Sequence, residues 1–497
     1  MNPNNLHKII RMKKYTIILL FLSLCFSGFS QDSISYRAET FGSVSTGETT
    51  PFHMVNNTYG TVPLNANNVY LRGAVGGKHV FNRNLDIKGG IDLIETANHS
   101  SSFFIQQLYG ELRFKSLMLT LGQKEYSNSM LNRELSSGDF NYSGNARPIP
   151  EIRIGIPSFV PVPLSKNRLH IRGDFTLGKS TDSKYIERTA APKEDYSKDI
   201  SWHRKSLFLL WKDTKGKSPF SAMIGLEHAV QFGGWTSIKN TGKMHVSFSD
   251  FMRMVFGKDG SENSSQADQM NVVGNQQGTI NAKFGYEHKD FMLSIYKQHY
   301  FDDGSGMEFA NWRDGIWGIE CLFFNQSYVK NILFEFISTF NQSGPIHFVG
   351  HQHPEGLDVR GGGNDDYYNH SHYVTGWSYW GRSLGSPLIT SPEYNEDGSV
   401  YFKNNRIKAL HLGLSGQLNR LLDYRMLITG MHAWGRMTYP FLRKKKDFSF
   451  LAECNYTLPR AKGWKVGLQF STDRGTLYDN TLGGGIKISK TGSILNF

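Results

Sequence analysis

Residues 463–490 read GWKVGLQFSTDRGTLYDNTLGGGIKISK and contain two short runs that alternate. In the first, Trp464, Val466, Leu468 and Phe470 fall on one face, and Lys465, Gly467, Gln469 and Ser471 on the other. In the second, Leu482, Gly484, Ile486 and Ile488 point one way, and Gly483, Gly485, Lys487 and Ser489 the other. A period of two marks a β-strand, whose successive side chains alternate across the sheet. The fold turns on what the apolar face meets: a protein core or lipid.

The same pattern recurs along the chain. It is found at 69–80 and 85–95, at 103–114 and 117–126, and at 168–179, 205–213 and 221–232. It continues at 279–288 and 291–300, 315–324 and 332–340, 408–418 and 424–434, and 448–458. Each run has about 9 to 12 residues, the length a tilted strand needs to cross the hydrocarbon layer. With an initial strand near 33–45, a short one at 150–156 and the last at 481–490, the count is 18 strands.

The connections decide the class. Those after even-numbered strands are short: 81–84, 115–116, 157–167, 214–218, 289–290, 325–331, 419–423 and 459–462. Those after odd-numbered strands are often long, notably 46–66, 127–149, 181–200, 233–276, 301–313 and 341–404. A soluble sandwich has no reason to sort loop length by strand parity. A membrane barrel does, with short periplasmic turns at one end and long external loops at the other. The expected fold is therefore an all-β transmembrane antiparallel up-and-down barrel. Its apolar faces look at lipid and its polar faces into the lumen. Mean hydropathy can be as low as -0.41 because only alternate residues need be apolar. Aromatic residues, 13% of the chain, suit interfacial girdles. The terminal Phe497 is similar to the assembly signal of bacterial outer-membrane barrels.

The first 30 residues have the layout of a secretory signal peptide. Lys8, Arg11, Lys13 and Lys14 form a basic region, 16–26 an apolar one, and Gly28-Phe29-Ser30 a small-residue cleavage site. The expected organisation is a leader over 1–30 and one barrel domain over 31–497. Removing the four basic residues of the leader lowers the formal net charge from +12 to +8. A surplus of that size suits an acidic polysaccharide or lipid headgroups. Only Cys321 and Cys454 remain after cleavage, which excludes a disulfide scaffold.

No phosphate loop, zinc spacing or HExxH helix appears. The GGGND stretch at 361–365 reads as a loop, because it neither follows a strand nor opens a helix. His347, His351, His353, His370 and His372 gather in one loop and could bind a transition metal, but a polar surface loop explains them as well. Nothing marks a catalytic Ser–His pair. The expectation is no enzyme, no cofactor and no metal. SDFMRMVFG (249–257) predicts a helix capped by Ser249 or Asp250, with Phe251, Met252, Val255 and Phe256 sharing a face.

Two external stretches, NWRDG (311–315) and GWSYWGR (376–382), combine indole rings with a guanidinium. Sugars present apolar C–H faces and hydroxyls, so rings can stack on them and Arg can grip an acidic group. The candidate glycan-binding residues are Trp312, Arg313, Trp377, Tyr379, Trp380 and Arg382, with Asn364 and Asp365 supplying hydrogen bonds. Rings at loop bases can equally anchor the loops to the barrel rim.

Several long motifs carry a family likeness. TPFHMVNNTYG (50–60), SGNARPIPEIRIGIP (143–157), WHRKSLFLLW (202–211), GLEHAVQFGGW (225–235) and YFDDGSGMEFANWRDGIWGIE (300–320) resemble the Wzi-type capsule-assembly outer-membrane proteins. GGNDDYYNHSHYVTGWSYWGRSLGSPLI (362–389) and NNRIKALHLGLSG (404–416) do so too, and the branch they are most similar to is that of Bacteroidetes-type bacteria. The resemblance implies an 18-stranded barrel in the bacterial outer membrane, with a lectin-like, non-enzymatic role. Its implied partner is exported capsular or exopolysaccharide. The remaining expectations are outer-membrane lipid and lipopolysaccharide around a monomer, and no nucleic acid. The rival function is a diffusion channel or substrate-specific porin, which would need an open lumen.

Overall fold

Every alternating run becomes a strand, and every strand pairs antiparallel with the next. The computed structural model describes residues 33–127, 130–213, 218–257, 274–302, 304–325, 328–342 and 365–496. The barrel strands are β1 (Ser33–Ser45), β2 (Asn68–Asn82), β3 (Leu85–Ala97), β4 (Phe103–Phe114), β5 (Leu117–Gln123) and β6 (Glu151–Pro161). They continue as β7 (Leu169–Lys179), β8 (Ser201–Lys212), β9 (Phe220–Phe232), β10 (Asn275–Glu287), β11 (Phe291–Phe301) and β12 (Gly315–Phe323). The last six are β13 (Asn331–Ser338), β14 (Ile407–Asn419), β15 (Leu422–Gly435), β16 (Pro440–Thr457), β17 (Trp464–Gly475) and β18 (Thr481–Asn496). They form one 18-stranded sheet. The first strand pairs with the last, from Ser33 opposite Asn496 to Ser45 opposite Gly483, and this closes the barrel. Closure removes both sheet edges, so each strand finds its hydrogen-bond partners within the wall, as a lipid environment demands.

The faces are inverted relative to a water-soluble protein. On β17 and β18, Leu468 is 57% exposed and Ile486 54%, while Ser471 and Asp473 are at most 1% exposed. Ile105, Ile154, Ile224, Phe334 and Leu412 continue the outward apolar belt. Inside lie polar groups paired with one another. Arg72 Nε donates to Asp92 Oδ1 at 2.9 Å, and Arg425 Nη2 lies 2.6 Å from Glu453 Oε2. A continuous apolar belt on the outside with buried ion pairs inside is stable only if the outside is lipid.

Strand ends depart from expectation where local chemistry differs. β6 runs on to Pro161, because a register shift between Ile156 and Val160 lets it continue past the expected end at 156. β16 begins at Pro440 rather than 448, so FLRKKKD belongs to the sheet although it lacks apolar alternation. β8 and β10 start earlier than expected, at Ser201 and Asn275, and β5 stops at Gln123. The leader over 1–30 and Phe497 lie outside the described residues.

The helix expected at 249–257 starts one residue early, as α1 (Phe248–Val255). Its cap is Ser247, whose side chain accepts from Asp250 N at 3.1 Å while the Asp250 side chain accepts from Ser247 N. That capping box corrects the expected cap at Ser249 or Asp250. It also turns the helix: Asp250, Met254 and Val255 are buried, whereas Met252 and Phe256 face outward. Lys205 on β8 donates to the Val255 carbonyl, placing a cation at the helix C-terminus.

Candidate functional site

The long loops fold back into the barrel. Segment 46–67 carries the short helix Phe52–Val55, and the Phe52 N–H donates to Asp473 Oδ2 on β17 at 2.7 Å. The inward glycines of β18 make room for it. A Cβ on Gly483 would stand 2.8 Å from Pro51 Cδ, and one on Gly485 2.9 Å from Met54 Cε. Segment 130–150 is pinned elsewhere on the wall. Ser136 Oγ and Ser137 N both donate to Glu335 on β13, at 2.7 and 2.8 Å. Phe140 N donates to Gln298 Oε1 on β11 at 2.9 Å, and Gln298 Nε2 returns a bond to Asp139 Oδ2 at 2.8 Å. Segment 365–406 packs against both. Trp377 Nε1 donates to the Asn141 carbonyl at 2.9 Å, and Gln231 Nε2 on β9 donates to the Gly376 carbonyl at 2.9 Å. Phe140, Tyr367, Tyr368, Trp377 and Phe402 have no exposed surface, and together they join the barrel's inner face in one core. A cavity of about 490 Å³ remains between segment 52–62 and the wall, lined by groups that include Glu39, Tyr59, Arg72, Arg133, Arg425 and Gln469.

GWSYWGR forms a tight hairpin. Ser378 pairs with Ser383 and Tyr379 with Arg382. The two turn residues, Trp380 and Gly381, have φ of 53° and 76°. Positive φ at both central positions is the I′ geometry, which usually takes Asn-Gly. A tryptophan in that region carries strain on the order of 1–3 kcal/mol. Gly381 is required for space as well, since a Cβ there would approach the Tyr185 hydroxyl to 2.3 Å.

The hairpin buries three of the expected site residues. Trp377 is 0% exposed and packs edge-on to Trp202, with ring centroids 5.0 Å apart. The Tyr379 hydroxyl bonds Thr181 Oγ1 at 2.6 Å. Arg382, 4% exposed, donates to Glu393 Oε2 at 2.7 Å and to the carbonyls of Val55 and Val62 at 2.9 and 2.7 Å. In this arrangement these three tie loop to loop and show almost no surface to a ligand. Trp380 is half-buried at the tip, where its backbone N–H donates to Asp182 Oδ2 at 2.9 Å. Burial pushes the Asp182 carboxyl up to about 6.

NWRDG takes the opposite form. Its flanks are buried and its centre projects. Asp314 Oδ1 accepts from Ser338 Oγ and Asn341 N, and Asp314 Oδ2 from Gln342 N and the Tyr367 hydroxyl, at 2.7–3.1 Å. Asn311 Nδ2 donates to the Tyr300 carbonyl at 2.9 Å. Between these anchors Trp312 is 53% exposed, with the Arg313 guanidinium 5.3 Å from its ring centre. The two motifs are joined through one dipeptide: the Tyr367 hydroxyl donates to Asp314 Oδ2, and Trp377 N donates to the Tyr368 carbonyl at 2.7 Å. Asp365 is half-buried and its N–H donates to Gln342 O at 3.1 Å. Asn364 lies outside the described residues, as do His347, His351 and His353. Among the described residues no cluster of three metal-ligating side chains occurs.

Sequence reasoning passed over Arg147, which belongs to SGNARPIP. It is 6% exposed, and its guanidinium lies 3.7 Å from the Phe104 ring centre and 4.5 Å from that of Trp380. His99 Nδ1 stands 3.3 Å from Arg147 Nη2. Burial, and then neighbouring Arg382, lower Arg147 to about 10, while burial and Arg147 lower His99 to about 4. Arg between a small-residue turn and Pro148 was the available signal, but its partners come from loops remote in sequence.

The comparisons with known proteins agree with this architecture. The family model described as capsule assembly protein Wzi matches residues 37–393. None of the curated proteins matches. A solved structure of Wzi, an outer membrane protein involved in group 1 capsule assembly in Escherichia coli and described as a carbohydrate-binding β-barrel, is similar with a TM-score of 0.55. Sequence identity to it is 12%, over 93% of this chain and 84% of that one. The outer membrane protein opdK from Pseudomonas aeruginosa aligns at a TM-score of 0.48 and 9% identity, over 94% of this chain and all (100%) of that one. At 12% identity the likeness to the Wzi barrel speaks for the fold alone.

Proposed function

We propose a function on the premise that this chain belongs to the capsule assembly protein Wzi family: it binds exported capsular or exopolysaccharide and organises it at the cell surface, without catalysis. The chain is an outer-membrane β-barrel. The observation that carries the reading is the filling of its interior by Phe140, Tyr368 and Trp377 and the segments around them. A diffusion channel needs a continuous aqueous path. A binding barrel needs a rigid outer platform, and loops tied to the inner wall supply one.

On this reading Trp312 and Arg313 make the principal glycan contact, with Trp380 a second ring and Asn364 and Asp365 offering polar groups. Trp377, Tyr379 and Arg382 serve the site from beneath by fixing the hairpin. Stacking on one ring is weak, but a polymer with many repeats gains from several such contacts at once. The reading takes residues 1–30 as a removed leader, 31–497 as one domain, and the working unit as a monomer surrounded by lipid and lipopolysaccharide.

Single-channel recording in planar bilayers separates this function from the porin alternative. The expected result is little or no steady conductance from the purified barrel. Large, steady conductance would favour a channel.

A further inference from the structure

The outer wall carries a band of charge that the proposed glycan site does not use. On β14, β16 and β17 the lower outward positions are apolar, with Leu410, Phe448 and Phe470 exposed. At the long-loop ends of these strands the outward positions turn basic. Lys408 on β14 stands opposite His432 on β15, and His432 opposite Lys446 on β16. Arg474 on β17 stands opposite Phe448, and Lys444 lies two residues before Lys446 on β16. Two aromatic rings sit within the band. Arg406 and Lys408 lie 4.4 and 4.7 Å from the Phe340 ring centre, and Lys444 5.7 Å from that of Trp434. The two rings pack edge-on at 4.7 Å.

None of Arg406, Lys408, Lys444, Lys446 and Arg474 makes an ion pair with a carboxylate among the described residues. Several cations elsewhere on the barrel do find a carboxylate, among them Lys212 with Glu287 at 2.8 Å, Lys283 with Glu320 at 3.1 Å and Arg425 with Glu453 at 2.6 Å. Like charges side by side on neighbouring strands repel. A row held without counter-charge in the protein fits a ligand that brings the counter-charge. The row lies level with aromatic rings, the mark of the membrane interface, and directly above apolar wall.

We propose that this face, formed by the outward ends of β14 to β17, binds a phosphorylated glycolipid of the outer leaflet. Its phosphates meet Lys408, Lys444, Lys446 and Arg474, and its acyl chains lie on Leu410, Phe448 and Phe470. Lys and Arg both bind phosphate by charge-assisted hydrogen bonds, and basic residues at the headgroup level attract anionic lipid. The lateral direction of the row, continuous with the apolar belt, favours lipid over a soluble polymer.

The test uses the full-length barrel in a non-ionic detergent, titrated with diphosphorylated lipid A and with its dephosphorylated form. The wild type should bind the phosphorylated form about tenfold or more tightly than the other, and added salt should weaken the preference. The triple variant Lys408→Gln, Lys444→Gln, Lys446→Gln should lose it while keeping the heat-modifiable mobility of a folded barrel. A control with Lys289→Gln, Lys330→Gln and Lys462→Gln, in the short turns at the other end, should retain it. Equal binding of the two lipids by the wild type overturns the proposal without need of any variant. A triple variant that keeps its lipid preference but loses soluble acidic polysaccharide also overturns it, and assigns the row to polymer instead.

Discussion

NWRDG and GWSYWGR have the same chemistry on paper and opposite positions in the molecule. Trp312 projects from its loop and Trp377 is sealed in the core. Arg313 lies beside an exposed ring, whereas Arg382 is spent on Glu393 and two carbonyls. The flanking residues explain the difference. Asn311 and Asp314 turn inward and hold their loop by its base, so the two residues between them must point away. In GWSYWGR the turn is at Trp380-Gly381, so the strand residues on either side pack against neighbouring loops and only the tip is partly free. An aromatic residue beside an arginine is therefore open to solvent in one loop and a girder in the other.

The largest effect should come from Trp377→Ala. Truncating a fully buried tryptophan costs about 3–5 kcal/mol. The cost should fall on the interior loops rather than the wall, so heat-modifiable mobility persists while the 365–406 segment becomes open to added protease. Asp314→Ala ranks next. Removing an acceptor for four donors should cost about 2–4 kcal/mol and loosen the NWRDG loop, again read by limited proteolysis. If Asp314→Ala leaves that loop as resistant as wild type, the anchoring role assigned to it fails.

A smaller effect should follow pH. Burial holds His99 and His370 at about 4, against an ordinary value near 6.5. The native loops therefore favour the neutral rings. That contribution is fully present above pH of about 6.5 and is lost as pH falls toward 4, because the unfolded segments take up protons first. Both rings keep some solvent contact, so the loss should be about 1 kcal/mol rather than the full shift. Protease resistance of the loops should drop over that window, and His99→Gln should flatten the response. Smallest of all, Trp312→Ala should change stability by no more than about 0.5 kcal/mol, since the ring is mostly in solvent. A large loss of folded barrel from Trp312→Ala would place that ring in the scaffold with Trp377.

The wall was legible because lipid imposes a strict rule. Leu468, Phe470 and Ile486 must alternate with polar neighbours wherever hydrocarbon lies outside, and loop length reports which end faces out. Where lipid no longer constrains the strand, the reading weakened: FLRKKKD extends β16 above the apolar belt and shows no alternation. The interior was less legible for a different reason. Gly483 and Gly485 look like a bland polar face in sequence, yet they are small because Pro51 and Met54 press on them from more than 400 residues away in the chain, as the Phe52–Asp473 separation of 421 shows. Arg147 likewise gains meaning only from Phe104 and Trp380. Trp377 and Trp312 could not be told apart by composition, because the buried flanks that separate them are satisfied by distant partners.

The most direct test of the polysaccharide role is complementation of a deletion strain with the double variant Trp312→Ala, Arg313→Ala, scored by cell-bound against shed surface polysaccharide. The barrel should reach the outer membrane in normal amount and with normal heat-modifiable mobility, while the cells shed polysaccharide as the deletion strain does. Retention of polysaccharide at the wild-type level by that folded variant would contradict the account.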